Sequence, residues 1–222
     1  MAALAYMPRW FEQCCEVLKK ELDLQDVMYG QMVSSDKGFV LGAHDVLPKN
    51  QLILQRNLQV GSEFFCFSRS DEQSSVREAY VFRSAVFDQG VFYLREKVAL
   101  ALKQSKLDYH KLSAQEMACF ERWLAYPAVS TQLFSGVSSS SNVPCRRYYL
   151  YADNPRAYIT ARELEYLRLI VQGYKTENIA ERLSVSAYTV QAQLRNIRKR
   201  LNCRSIIEVV NILYQNKLIM PK

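Results

Sequence analysis

Apolar residues recur along this chain in two different rhythms. Over residues 10–22, Phe11, Cys14, Cys15, Leu18 and Leu22 fall at helical spacing, which predicts an amphipathic opening helix. Residues 27–33, 39–41, 63–67 and 79–87 are instead short runs rich in aromatic and β-branched side chains, the composition of strands. Helical spacing returns over residues 50–58, 91–103 and 113–126. The mixture predicts an α+β, sensor-like N-terminal domain. Its aromatics Tyr29, Phe65, Phe67, Tyr80, Phe82, Phe92 and Tyr93 read as core side chains rather than pocket walls, because large aromatics are ordinarily buried.

The rhythm stops over residues 134–144, a serine-rich stretch with Gly136 and Pro144 near its ends, which reads as a loop or linker. A second break falls at Asp153, Asn154 and Pro155, and residues 146–151 between the two look like a short strand. The expected organisation is an N-terminal sensor or regulatory domain over 1–133, a linker with a short strand over 134–154, and a helical domain over 155–222.

Four helices are predicted in that last region from their boundary signals. Thr160 with Glu163 makes a capping box, Leu164, Leu167 and Val171 form an apolar stripe, and Gly173 stands where a left-handed residue ends a helix. The second helix opens at Thr176, whose hydroxyl can cap, and turns Ile179, Ala180 and Leu183 inward until about Ser184. Ser186 caps a third helix reaching about Leu201, and Ser205 with Glu208 boxes a fourth with Ile206, Val209, Val210 and Leu213 on its inner face. The close joining of the second and third helices predicts a helix-turn-helix. Residues 112–120 echo residues 159–167 in their apolar positions, but the shared capping signature is common and is read as convergent.

Charge sharpens this picture. The net charge is +7, and residues 151–222 carry twelve Lys/Arg against six Asp/Glu, so nearly all the excess is C-terminal. A localised basic excess is the footprint of a polyanion-binding domain. On the third helix, Val190, Leu194, Ile197 and Leu201 align as an apolar seam at ~100° per residue, while Tyr188, Gln191, Ala192, Arg195, Arg198 and Lys199 gather on the opposite side. That side offers an amide suited to adenine, a small side chain that permits close approach, and an arginine that can fork onto guanine.

These residues resemble a known family. Ile159, Thr160, Ala161, Arg162 and Glu163, then Gly173, Glu177, Asn178, Ile179 and Ala180, Leu183, Ser186, Thr189 and Val190, Asn196 and Ile197, and Leu201 are similar in order and spacing to the LuxR-type (GerE-like) helix-turn-helix, over about residues 157–219. The resemblance implies a bacterial transcription regulator whose third helix enters the major groove of double-stranded DNA. It places base-reading positions on Gln191, Ala192 and Arg195. Backbone contacts would fall on Thr176, Ser186, Thr189 and Lys199, with Lys175 and Arg204 nearby, and Tyr188 and Arg198 share the same face. The fourth helix of such domains often pairs in a dimer, which would involve Val209, Asn211, Ile212 and Leu213 or their exposed neighbours. Gln191 and Gln193 stand where the family commonly has Lys and His, which predicts a smaller electrostatic contribution or a shifted base preference.

For the N-terminal domain, a phosphoreceiver needs clustered acidic residues, and the adjacent pair Asp71 and Glu72 lies in a polar stretch that does not fit. Residues 17–30 resemble the opening helix and first strand of the acyl-homoserine-lactone-binding domain, which implies an α/β/α sandwich. The Trp, Tyr and Asp with which that family holds the lactone have no clear counterparts, since Trp10 and Trp123 sit near the ends of the domain sequence. A small-molecule signal of this kind is therefore left open.

The hydrophobic fraction of 49% and charged fraction of 23% fit a globular protein rather than a disordered one. No apolar run approaches the ~20 residues of a membrane span, and no secretory signal is visible, so a cytoplasmic location without membrane association is expected. The six cysteines and two histidines, His44 and His110, show neither zinc spacing nor a disulfide framework, which leaves buried thiols as the expected state and no metal or other cofactor. No phosphate-cradling loop or nucleophile-base set appears, so an enzyme is not expected. The function that follows is a sequence-specific DNA-binding transcription regulator, expected to be a homodimer, controlled through its N-terminal domain by a ligand or partner, with RNA polymerase a candidate partner. The alternative is an anti-activator that binds a related regulator and blocks it.

Overall fold

A computed structural model describes residues 7–42, 50–57, 60–70, 73–125, 144–151, 154, 156–216 and 218–219. The polar pair Asp71 and Glu72, His44, most of the 134–144 linker, and Asp153 and Pro155 lie outside the described residues. The chain opens with α1 (Arg9–Leu22), whose five predicted core residues Phe11, Cys14, Cys15, Leu18 and Leu22 are all buried. Four strands follow, β1 (Asp26–Ser34), β2 (Lys37–Leu41), β3 (Gln51–Asn57) and β4 (Ser62–Ser68). A long helix α2 (Val76–Lys103), a short strand β5 (His110–Lys111) and a helix α3 (Ala114–Ala125) complete the region.

The five strands form one antiparallel sheet in the order β3-β4-β1-β2-β5. Successive strand residues point to opposite faces, and here both faces are covered. Val27, Tyr29, Phe39, Leu41, Leu52, Leu54, Phe65 and Phe67 face α1 and α2, while Met28, Val40, Ile53, Phe64 and Cys66 face α3. The result is an α/β/α sandwich. Gly30 is what lets α3 approach: a Cβ there would sit 2.5 Å from the Trp123 ring and 2.9 Å from that of Phe120.

Two expectations need correction. Residues 50–58, read as helical, form strand β3 as far as Asn57, with Leu58 outside the described residues. Leu52, Ile53 and Leu54 are each buried because the strand is covered on both sides, which removes the polar alternation that marks a half-exposed strand. Residues 79–87, read as a strand, belong to α2. Their aromatic and β-branched content favours a strand, but Tyr80, Ser84 and Phe87 are buried at helical spacing and packing decides. Arg83 breaks the helical backbone (φ −126°, ψ 27°), and its guanidinium donates to the Glu21 carbonyl at 2.8 Å. One aromatic departs from the core: Phe82 is 87% exposed, whereas the six others are buried.

From Phe87 to Glu96 every residue of α2 is buried, charged ones included. Arg95 pairs with Glu63, whose other oxygen accepts from the Tyr29 hydroxyl at 3.1 Å, and Arg56 lies 3.6 Å from Asp88. Arg95 also packs over the rings of Phe65 and Phe92. Cation, anion and aromatic face thus share the side of the sheet that α2 covers.

The same helix reaches the second half of the molecule. Strand β6 (Arg147–Tyr149) pairs antiparallel with β7 (Tyr158–Thr160), and four helices follow, α4 (Ala161–Val171), α5 (Thr176–Arg182), α6 (Ala187–Leu201) and α7 (Ile206–Gln215). Phe92 of α2 meets Tyr148 edge to face at 5.6 Å and joins Leu150, Ile159, Leu164, Leu167, Ile197, Val209 and Leu213 in one core. The Glu96 carboxylate accepts the N–H groups of Arg146 and Arg147, both at 3.1 Å. No helix among the described residues is long and apolar enough to cross a membrane.

Candidate nucleic-acid interface

The predicted caps fix the frame of the C-terminal helices. Thr160 and Glu163 form the full capping box of α4, and Gly173 takes the left-handed backbone (φ 88°) that ends it. Lys175, not Thr176, occupies the cap position of α5 and makes no side-chain cap bond. Thr176 is the first helical residue, so its hydroxyl does not play the capping role expected of it. Between α5 and α6 the chain turns at Ser184, also left-handed (φ 53°), with the Val185 N–H closing onto the Ala180 carbonyl at 2.9 Å. Ser186 then caps α6: its hydroxyl accepts the Thr189 N–H at 3.0 Å and lies 2.8 Å from the Thr189 hydroxyl.

A second, small core holds α5 against α6. Ile179, Ala180, Val190 and Tyr166 are buried there, while Ile197 anchors the far end of α6 in the larger core. Leu194 and Leu201 are half-buried along the same seam. Glu163 ties the third member of the frame, because its Oε2 accepts both the Thr160 N–H at 2.9 Å and the Arg200 guanidinium at 2.6 Å. Sequence reasoning gave Arg200 no role; the signal available for it was a cation on α6 facing an acidic capping residue.

The opposite face of α6 is open. Tyr188 is 73% exposed, Gln191, Arg195 and Lys199 are exposed, and Ala192 and Arg198 are half-buried. Tyr188, Gln191, Arg195 and Arg198 line one cleft with Leu194 and Ile206. Arg195, Arg198, Lys199 and Arg204 line an adjoining one, which includes one carboxylate, that of Glu208. Glu208 is engaged by the Arg204 N–H at 2.8 Å, and the Arg198 guanidinium donates to the Arg204 carbonyl at 3.3 Å. Lys175 and Thr176 stand apart from these clefts, at the start of α5. Arg198, Lys199 and Arg200 occupy the last turn of α6, where cations are favoured by the helix dipole, and Asn202 ends the helix in a left-handed conformation (φ 55°). The surface thus offers an amide and guanidinium groups on a helix held from behind, the chemistry that reads base edges and neutralises phosphates.

The expected pairing surface on α7 is altered by the structure. Val209 and Leu213 are fully buried in the core of their own domain, so they are not free for a partner. Asn211 is exposed, Ile212 is half-buried, and Ile207 is 68% exposed.

Comparison with known proteins agrees with this local architecture. The GerE family model, described as bacterial regulatory proteins of the luxR family, matches residues 157–213. The "Oxygen regulatory protein NreC" of Staphylococcus carnosus (strain TM300) is 40% identical over 67 residues, 30% of this chain and 31% of that protein. The protein of the same name from Staphylococcus aureus (strain bovine RF122 / ET3-1) is 34% identical over 91 residues, 41% of this chain and 40% of the relative. The chain thus spans well under half the length of the curated relatives it matches. Within those limits, residues 157–213 are a helix-turn-helix domain of the luxR family of bacterial regulatory proteins.

Proposed function

We propose that this chain is a sequence-specific DNA-binding transcription regulator that acts as a dimer, with residues 155–222 engaging the duplex, residues 134–154 as the connecting segment, and residues 1–133 controlling it. The observation that carries the reading is the two-sided α6: Val190 and Ile197 are fully buried on one side, and Gln191 and Arg195 are exposed on the other. Gln191, Ala192 and Arg195 read base edges. Lys175, Thr176, Ser186, Tyr188, Thr189, Arg198, Lys199 and Arg204 hold the sugar-phosphate backbone on either side.

Control passes through α2, which contributes Arg95 to the sheet-facing interior and Phe92 to the core of the C-terminal helices. The side of the sheet that α2 covers carries a buried ion pair and hydroxyl, Glu63 with Arg95 and Tyr29, and this polar character supports a signal delivered by a partner protein over an enclosed acyl chain. The test is selection of bound duplexes from a random pool by the full chain, followed by affinity measurement on the enriched sequence. Arg195→Ala is expected to lose about tenfold to a hundredfold in discrimination at one base position. Failure of the wild-type chain to enrich any sequence, together with stoichiometric capture of a related regulator, would replace this reading with the anti-activator.

A further inference from the structure

Beside the clefts of the α6 face lies another, which the family comparison gives no role. It runs between the C-terminal end of α2, the β6–β7 hairpin and the last turns of α6, and encloses about 760 Å³. Four exposed cations line it: Lys103 from α2, Arg147 and Arg156 from the hairpin segment, and Lys199 from α6. Among the described residues none of these four forms an ion pair with a carboxylate, and no acidic residue lines the cleft. A fifth cation, Arg200, is already satisfied by Glu163.

The cleft is also preorganised. The Arg147 guanidinium lies over the Tyr158 ring at 5.0 Å, Arg200 lies over the same ring at 4.3 Å, and Tyr149 packs beside it at 5.5 Å. Stacking on Tyr158 and a hydrogen bond with Tyr149 hold the Arg147 guanidinium in place, so less rotamer freedom is lost when an oxyanion binds. The carboxylate nearest the hairpin, Glu96, is turned to the backbone N–H groups of Arg146 and Arg147 and is buried. The electrostatic character of the cleft is therefore uniformly positive, and its size suits a run of linked phosphates more than a single small anion.

Lys199 lines both this cleft and the one that holds Arg195, Arg198 and Arg204, so the two positive surfaces are continuous. We infer that the cleft between α2, the β6–β7 hairpin and α6 takes the sugar-phosphate backbone of duplex DNA flanking the stretch that α6 reads. This inference rests on the DNA-binding reading above. It adds to the helix-turn-helix a set of phosphate contacts from the preceding hairpin and from α2. Such contacts carry no sequence information but add to affinity and to its salt dependence.

The test measures affinity of the full chain for a mixed-sequence duplex of about 30 base pairs across a salt series. Removing one cation from the phosphates reduces the slope of log K against log salt by about 0.9. Arg147→Gln with Arg156→Gln is expected to reduce it by about 1.8, and Lys103→Gln alone by about 0.9. Arg147→Lys with Arg156→Lys is expected to restore most of the slope, which separates charge from any folding defect. The control is Lys37→Gln with Lys111→Gln, an equal charge change on the paired strands β2 and β5, expected to leave the slope near that of the wild type. Equal slopes for the hairpin variant and the wild type, or equal reductions in hairpin variant and control, overturn the inference while the DNA-binding reading stands. Absence of salt-dependent duplex binding by the wild-type chain overturns both.

Discussion

Replacing Glu163 tests how the α6 face is held in position. Its carboxylate is 5% exposed and does two things with one oxygen: it accepts the Thr160 N–H at 2.9 Å, completing the α4 capping box, and it receives the Arg200 guanidinium at 2.6 Å. Glu163→Ala removes both. Loss of a cap partner costs about 0.5–2 kcal/mol. Breaking a fully buried ion pair from one side costs about 3–5 kcal/mol, and the lower end applies here because the Arg200 side chain keeps 19% exposure and can turn toward water. The sum is a loss of about 3.5–5 kcal/mol. Glu163→Gln retains an oxygen for the Thr160 N–H, since glutamine serves in the same box, and loses chiefly the charge, at about 1–2 kcal/mol. With a urea dependence of about 2 kcal/mol per molar, the midpoints of the two variants should differ by about 1–2 M. Urea titration of the full chain followed by far-ultraviolet circular dichroism reads this directly. Midpoints for both variants within about 0.2 M of the wild type, on the order of the fitting error, would refute the assignment of the Glu163 carboxylate as the tie between α4 and α6. A glutamine variant as unstable as the alanine one would show that charge alone, and not the cap, accounts for the effect.

Burial pushes the thiols of Cys14 and Cys119 up to about 11 and that of Cys15 up to about 12, and raises Cys66 further still. Folded values above unfolded ones mean a stabilisation fully present below the ordinary thiol range of about 8.5, and lost as pH rises through 11–12. Burial raises the Cys145 thiol as well, so a thiol titration of the native chain at about pH 8 should find Cys203, which is partly exposed, and spare the other five until denaturant is added; rapid labelling of all six would contradict the packing. Gly30→Ala places a methyl 2.5 Å from the Trp123 ring and should cost about 1–3 kcal/mol of stability through overpacking, seen as a lower thermal midpoint, with tryptophan emission reporting the displaced ring. If α7 supports the dimer, Ile207→Glu should shift the chain toward monomer in sedimentation velocity while the circular dichroism spectrum stays unchanged, because Ile207 is 68% exposed; an unaltered sedimentation profile would remove Ile207 from that surface.

The C-terminal half was largely legible because its information is local. Capping residues, a left-handed glycine and an apolar seam act within a few positions of one another, so Thr160, Gly173, Ser186 and Ser205 mark helix ends in sequence as they do in space. The seam of α6 and its polar back were readable for the same reason. In the N-terminal half, β1, β2 and β4 were readable from their aromatic and β-branched runs, but β3 was not. Its apolar trio faces two layers at once, and the residues flanking it, Gln51, Gln55 and Arg56, favour a helix equally well. The first turns of α2 failed in the opposite sense, since Tyr80, Val81, Phe82 and Val86 favour strands, and the packing of Tyr80 and Val86 into the core with α1 and the sheet decides for the helix. Among site residues, Lys103, Arg147 and Arg156 could have been noticed only as scattered positive charge. Their convergence depends on a helix and a hairpin far apart in sequence.

The family match begins at residue 157, yet the core beneath that domain includes Tyr148 and Leu150 from upstream and Phe92 from the middle of α2. What is inherited as a module and what folds as a module therefore do not coincide in this molecule. A truncation placed at the start of the match would cut the β6–β7 hairpin and strip Tyr148 and Phe92 from an apolar interior. Phe92 of α2 and Ile197 of α6 lie in one apolar interior, so the hydrophobic floor under the helix-turn-helix includes a side chain from the helix that covers the sheet.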